Sequence, residues 1–225
     1  MSKFSVIIRN RNEEDWIGHC IQSVIEHFQD PEIIIIDNKS TDQSLEIVKT
    51  FRKNKNFINN NNNKSYAEIK IFSIDDYTPG RSLNYGVSKS TNKNILIISA
   101  HCVINKIDIQ STLKNLDKYK AIFGKQDPVW RGKKILKRYI WSHFEDDKIE
   151  NMFSKQENRY FFHNAASIFK KSILKKIPFD EELSGKEDRF WIKEIIKLKL
   201  KYLYDPSFSV HHHYTPNGAT WKGLS

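Results

Sequence analysis

The chain has 225 residues, of which 39% are hydrophobic and 28% charged, values that suit a globular protein with one substantial core. Its longest apolar runs, at residues 6–8, 33–36 and 95–98, are far too short to cross a bilayer. No signal-peptide order opens it, so a cytoplasmic protein is expected, and its two cysteines, Cys20 and Cys102, exclude a disulfide framework. The formal charge of +10 leaves four readings open: a solvated basic surface, attraction to an anionic membrane, to phosphorylated substrates, or to nucleic acid.

Strand and helix alternate through the first half. FSVII (residues 4–8) predicts a strand, and Trp16, Ile17, Cys20, Ile21, Val24, Ile25 and Phe28 recur at helical spacing behind it. EIIIID (residues 32–37) is apolar on both faces, as a strand covered on both sides must be. Ser40 or Thr41 then stands where a helix cap is needed, with Leu45, Val48 and Phe51 on the inner face of the helix. The Asn-rich tract at 54–65 reads as a mobile surface loop. Alternation resumes with a strand at 68–74, a short helix at 80–90 and a strand from Asn94 that runs into Ser99-Ala100-His101-Cys102.

Beyond residue 107 the order is less regular. The pattern predicts a helix at 110–118, a strand at 121–126 and a basic amphipathic helix over 133–144. Near the end it predicts a helix from Glu187 and short strands at 201–205 and 208–214, the last carrying His211, His212 and His213. Cys20 and Cys102 lack metal-site spacing and read as small core residues. The expected class is therefore α/β: a mostly parallel, Rossmann-like sheet flanked by helices in a single domain.

In such a sheet, ligands bind beyond the carboxyl ends of the strands. Those ends carry Arg9, Asn10 and Arg11 after the first strand, Asp37 and Asn38 after the second, and Ser99 and His101 after the fourth. Each has a plainer role open to it as a turn, cap or strand-closing residue. No Gly-rich phosphate loop follows any strand, which argues against a dinucleotide enzyme or a phosphate-loop nucleotidase.

The blocks FSVIIRNRNEEDW, EIIIIDNKSTDQSLEIV, PGRSLNYGV and PFDEELSGKEDRFWIKEI occur in an order that resembles the family 2 glycosyltransferases. FGKQDP and FFHNAAS are similar to the middle segment of rhamnosyltransferase-like and polysaccharide-building members. The resemblance implies a GT-A fold, a nucleotide-sugar donor and inverting transfer to a hydroxyl of a glycan or lipid-linked acceptor in surface polysaccharide synthesis. It divides the chain into a nucleotide-sugar-binding half, residues 1–106, and an acceptor-binding half with a C-terminal tail, residues 107–225. Donor contacts would come from Arg9, Asn10, Arg11, Asp37, Asn38, Arg81, Asn84, Ser99 and His101. Asp188, beside Glu187, would be the catalytic base, and Asn164 and Trp191 would face the acceptor.

One departure stands out. Where the family usually carries Asp-x-Asp to hold a divalent metal, this chain has Ser99-Ala100-His101. Magnesium wants oxygen ligands that this triplet does not supply, so two alternatives remain. A softer divalent cation such as manganese or zinc binds His101 with one of His211, His212 or His213, the choice falling on His211 or His213, which share one strand face; or no cofactor is used and His101, Arg81 or a lysine balances the diphosphate. Trp130, Trp191 and Trp221 are candidates for sugar stacking, with Trp221 a candidate lid over the donor. The basic stretch 133–138 offers peripheral contact with anionic lipid at the inner face of the membrane, and no nucleic-acid-binding motif accompanies the positive charge. The rival reading is a degenerate family member that binds nucleotide sugar or glycan without turnover.

Overall fold

The computed structural model describes residues 3–54, 57–135, 139–218 and 221. Four parallel strands and three helices build the first half: β1 (Phe4–Asn10), α1 (Ile17–His27), β2 (Glu32–Asp37), α2 (Ser44–Lys53), β3 (Glu68–Ser73), α3 (Pro79–Lys89) and β4 (Asn94–Ser99). The strands lie in the order β3-β2-β1-β4. Alternate residues of β1 serve opposite faces. Val6 and Ile8 join Cys20, Ile21 and Val24 of α1 in one core, while Ile7 joins Leu83 and Val87 of α3 in the other. Burial on both sides explains the unbroken isoleucine runs.

The second half extends the same sheet. It comprises β5 (Cys102–Lys106), α4 (Ile109–Lys118), β6 (Ala121–Trp130), β7 (Ala166–Lys170), α5 (Lys171–Lys176), α6 (Glu187–Lys197) and β8 (Leu203–His213). Strand β7 runs antiparallel between β4 and β6, β8 lies parallel to β6, and β5 pairs antiparallel with β8. With Lys133–Lys134 on β6 and Ile149–Glu150 on β8, the described sheet has ten strands. The register sets Asn10 beside Asp37 and Arg9 beside Ser99. Chain order reverses between β1 and β4, so the carboxyl ends of these strands flank the crevice where such sheets bind ligands.

Several expectations need correction. The basic helix over 133–144 is absent: Lys133–Lys134 closes a hairpin on β6, and only Tyr139–His143 forms a 3-10 turn. Residues 136–138 of that stretch lie outside the described residues. Pairing with β6 satisfies the backbone that the helix would have used. Ser40 caps no helix; its hydroxyl donates to Asp37 instead, and α2 starts at Ser44. The two late strands are one, with a register shift between Asp205 and Ser209. The Asn-rich tract folds back as a hairpin, Phe57–Ile58 on Lys64–Ser65, because Asn59 Oδ1 accepts from the amides of Asn61 and Asn63. Phe57 is buried there.

Candidate active site

The carboxyl ends of β1 and β2 are knitted together by one side chain. Asp37 Oδ1 accepts from Asn10 Nδ2 at 2.9 Å and from Ser40 Oγ at 2.6 Å, while Oδ2 accepts from the Ser40 amide at 3.1 Å. Ser40 Oγ in turn accepts from the Asn12 amide and from Asn10 Nδ2, both at 3.0 Å. Asn12 and Lys39 adopt positive φ, 53° in each case, so both turns bend sharply back beside the crevice. Asn38 is buried next to this knot, its amide bonded to Asn10 O. Arg11 is exposed at the rim. The C-terminal segment returns here: Asn217 Nδ2 donates to the carbonyls of Arg11 and Asn12, and Trp16 Nε1 to Tyr214 O.

On the other side of the crevice, α6 starts from Lys186 in the left-handed conformation. Asp188, on its first turn, is half-buried; its Oδ2 accepts from the Asn164 amide at 3.3 Å and Oδ1 from the Arg189 amide at 2.7 Å. Burial raises its pKa above the usual aspartate value, opposed by those two amides and by the charges of Arg189 and Arg9. Beside it Arg9 Nη1 meets Glu187 Oε1 at 3.0 Å, with side chains 23% and 9% exposed. Burial works against the Arg9 charge, but Tyr77, Glu187 and Asp188 outweigh it and raise its pKa further. A carboxylate, an ion pair and a buried amide thus converge where β1, β7 and α6 meet.

A buried polar chain links the two sides. Glu13 Oε1 lies 3.1 Å from His101 Nδ1, and the His101 and His212 rings are 4.8 Å apart between centroids. His212 Nδ1 donates to Gln126 Oε1 at 2.9 Å, and Gln126 Nε2 donates to His163 Nδ1 at 2.9 Å. The amide's one acceptor and one donor assign the tautomers: His212 carries its proton on Nδ1, and His163 on Nε2. Both rings are held neutral. Burial lowers His163 to about 4, partly offset by Glu187 and reinforced by Arg189, Arg159 and Arg9; burial and the neighbouring histidines push His212 well below the ordinary value. Glu13 Oε2, His212 Nε2 and Asn164 Nδ2 are buried with no partner among the described residues.

The histidines do not gather as expected for a metal. His212, the one facing inward, is the ring next to His101, whereas His213 stacks on Trp16 at 3.9 Å and His211 lies beside His213 at 6.4 Å between ring centroids. Strand alternation sends His211 and His213 to the opposite face from His212. Among the described residues no group of three or more His, Cys, Asp or Glu is arranged to hold an ion. With His101 Nδ1 held by Glu13, the ring offers Nε2 alone to a metal, and Ser99 is the only other polar side chain of the triplet, a set poorer in oxygen than magnesium prefers.

Other predicted residues lie elsewhere. Asn84 clamps the loop before α6: its Nδ2 donates to Phe179 O and Glu181 Oε1, each at 2.8 Å, and its Oδ1 accepts from the Phe179 amide. Arg81 pairs with Asp76, Glu181 and Glu182. Gly80 permits this close approach, since a Cβ there would sit 2.0 Å from Asp180 O. Trp191 is set in the core among Phe162, Phe169 and Phe179, its Nε1 bonded to Ile177 O, and so presents no face to a sugar. Trp221 is likewise buried, against Trp141, rather than open over the crevice; Trp130 is 42% exposed. Glu13, Gln126, His163 and His212 were not among the predicted contacts. FGKQDP and FFHNAAS contain two of them, Gln126 on β6 and His163 in the loop that leads into β7.

Residues 5–178 match Glycosyl transferase family 2. The chain belongs to this family. A Campylobacter jejuni GalNAc(5)-diNAcBac-PP-undecaprenol beta-1,3-glucosyltransferase is 22% identical to it, covering 98% of this chain and 68% of that protein. A Bacillus spizizenii poly(ribitol-phosphate) beta-glucosyltransferase is 25% identical, covering 88% of this chain and 30% of that one. A Methanococcus voltae dolichyl N-acetyl-alpha-D-glucosaminyl phosphate 3-beta-D-2,3-diacetamido-2,3-dideoxy-beta-D-glucuronosyltransferase is 29% identical, covering 59% of this chain and 38% of that protein. The chain therefore spans well under two thirds of two of these three relatives. S. aureus TarS 1–349 bound to UDP-GlcNAc superposes with a TM-score of 0.69 at 20% identity, covering 98% of this chain and 61% of TarS. The fold is the GT-A fold of that enzyme.

Proposed function

We propose that this family member transfers a sugar, with inversion, from a nucleotide-sugar donor to a hydroxyl of a glycan or lipid-linked acceptor in cell-surface polysaccharide synthesis. The observation that carries the reading is Asp188: a half-buried carboxylate whose pKa is raised by desolvation, held by two backbone amides at the mouth of the crevice beside the Arg9–Glu187 pair. Such a group is a better proton acceptor than a solvated aspartate. Asp188 takes the acceptor hydroxyl's proton as the oxygen forms its bond to the anomeric carbon. The bond from that carbon to the nucleoside diphosphate breaks on the opposite face, which inverts the configuration.

The departing diphosphate needs positive partners. His101, oriented by Glu13, and the exposed Arg11 supply them in a metal-independent site, and the Asp37–Asn10–Ser40 knot shapes the nucleoside side of the crevice. Exposed Arg131, Lys133 and Lys134 at the hairpin on β6 offer the contact with anionic lipid.

A thermal-shift panel of UDP, GDP, dTDP and CMP sugars, run after chelation and again with manganese, tests this reading. One nucleotide class is expected to raise the melting temperature equally in both conditions, because a ligand that binds only the folded state stabilises it by mass action. Product formation from the same donor separates transfer from silent binding. Stabilisation that appears only with manganese would overturn metal independence.

A further inference from the structure

A second cavity, about 770 Å3, opens at the other end of the sheet, where the start of β4 and the end of β7 meet α4 and α5. Lys170 pairs in register with Asn94, so this groove is separated from the Ser99–Asn164 end by the full length of both strands. Five lysines line it, Lys93, Lys114, Lys170, Lys171 and Lys175, against one acid, Asp117. Asp117 is taken by Lys170 at 2.5 Å, and Lys171 donates to Ser90 O. Lys93, Lys114 and Lys175 are exposed and make no ion pair among the described residues. Burial and the charge of Lys175 lower the Lys171 pKa, with Glu32 opposing them.

What lines the groove also narrows its ligand. Among the described residues no arginine lines it, so it lacks the rigid fork that fixes one phosphate in one geometry; lysines on flexible stems suit a row of repeated charges. No aromatic ring lines it either, which leaves a nucleobase nothing to stack on. Leu113 is its one apolar side chain, too little for insertion into lipid, and a concave groove meets a flat bilayer poorly. Asn92, Gln110 and Ser172 add neutral hydrogen-bonding groups suited to hydroxyls.

We propose that this lysine groove binds a flexible phosphodiester-linked polyol chain, remote from the transfer site. Its role as a holder of the distal part of a polyanionic acceptor rests on the glycosyl-transfer reading; the binding itself does not. The probe is a synthetic ribitol-phosphate oligomer, titrated into the protein at low and at moderate salt, with a neutral dextran, random single-stranded DNA and phosphatidylglycerol vesicles as comparisons. The oligomer is expected to bind, to weaken with salt, and to lose at least about tenfold in affinity in the Lys93→Gln, Lys114→Gln, Lys175→Gln triple variant. The same variant should melt as the parent does and respond unchanged to whichever nucleotide sugar stabilises the parent. No binding of the oligomer, equal binding by the variant, or tighter binding of the DNA or vesicles through the same three lysines would overturn the proposal. Loss of the nucleotide-sugar response in the parent would instead count against the transfer reading.

Discussion

The two walls of the crevice solve different problems with similar residues. On the β1–β2 side, Asp37 spends both carboxylate oxygens on neighbours, and the hydrogen bonds close within the wall. On the α6 side, Asp188 is half-buried with desolvation raising its pKa, near His163 held neutral and an Asn164 side-chain Nδ2 with no partner among the described residues. A carboxylate that is satisfied sets backbone shape; one that is desolvated stores reactivity. On the proposed reading the first wall is scaffold and the second carries proton transfer.

The largest expected change comes from removing the cation of the α6 wall. Arg9→Met leaves Glu187 buried without its partner, and losing one side of a buried pair costs about 3–5 kcal/mol. Urea unfolding should show it. A loss below about 1 kcal/mol would mean that Glu187 is solvated and that the walls differ less than described. Next is Gly80→Ala, whose Cβ must displace Asp180 O and with it the loop that leads into α6. Overpacking of this kind costs about 1–3 kcal/mol. Turnover should fall alongside stability if the Asn84–Phe179 clamp positions α6.

Acid should strain the histidine chain before it reaches the carboxylates. His163 and His213 titrate near 4 in the fold and at the ordinary imidazole value when unfolded. Between about pH 6.5 and pH 4 the unfolded chain therefore binds more protons, so stability is full above that window and is lost as the pH falls through it. The melting temperature at pH 5 is expected below that at pH 7.5; an equal value would show that these rings are not held neutral. The smallest effect is Ser40→Ala, which removes one hydroxyl from the Asp37 knot and should cost about 1 kcal/mol with weaker donor binding, read by thermal shift.

Much of the first wall was legible in the sequence because strands buried on both faces leave an unmistakable run, and whatever follows such a run must stand at the strand end. Asp37 and Asn10, and Arg9 of the opposite wall, came from that rule alone. Asp188 came from the family's block order. What sequence hides is pairing at long range. Nothing local says that Glu13 meets His101, that Gln126 bridges two histidines, or that the inward ring of the triplet is His212, because strand parity is fixed only by the register with β6 and β5. Trp191 misled for a related reason: an aromatic residue beside the base looks like a sugar platform until its helix is docked and its indole turns into the core. The basic stretch at 133–144 had helical periodicity, and at its start the pairing of Lys133–Lys134 with β6 overrode it.

The central claim is that Asp188 is the base, and one variant tests it most directly. Asp188→Asn keeps the shape and one of the two amide contacts while removing the proton acceptor. With the donor identified by the thermal-shift panel, transfer should fall about 10²–10⁴-fold, with the donor's stabilising effect unchanged. Turnover within a few-fold of the parent would contradict the account.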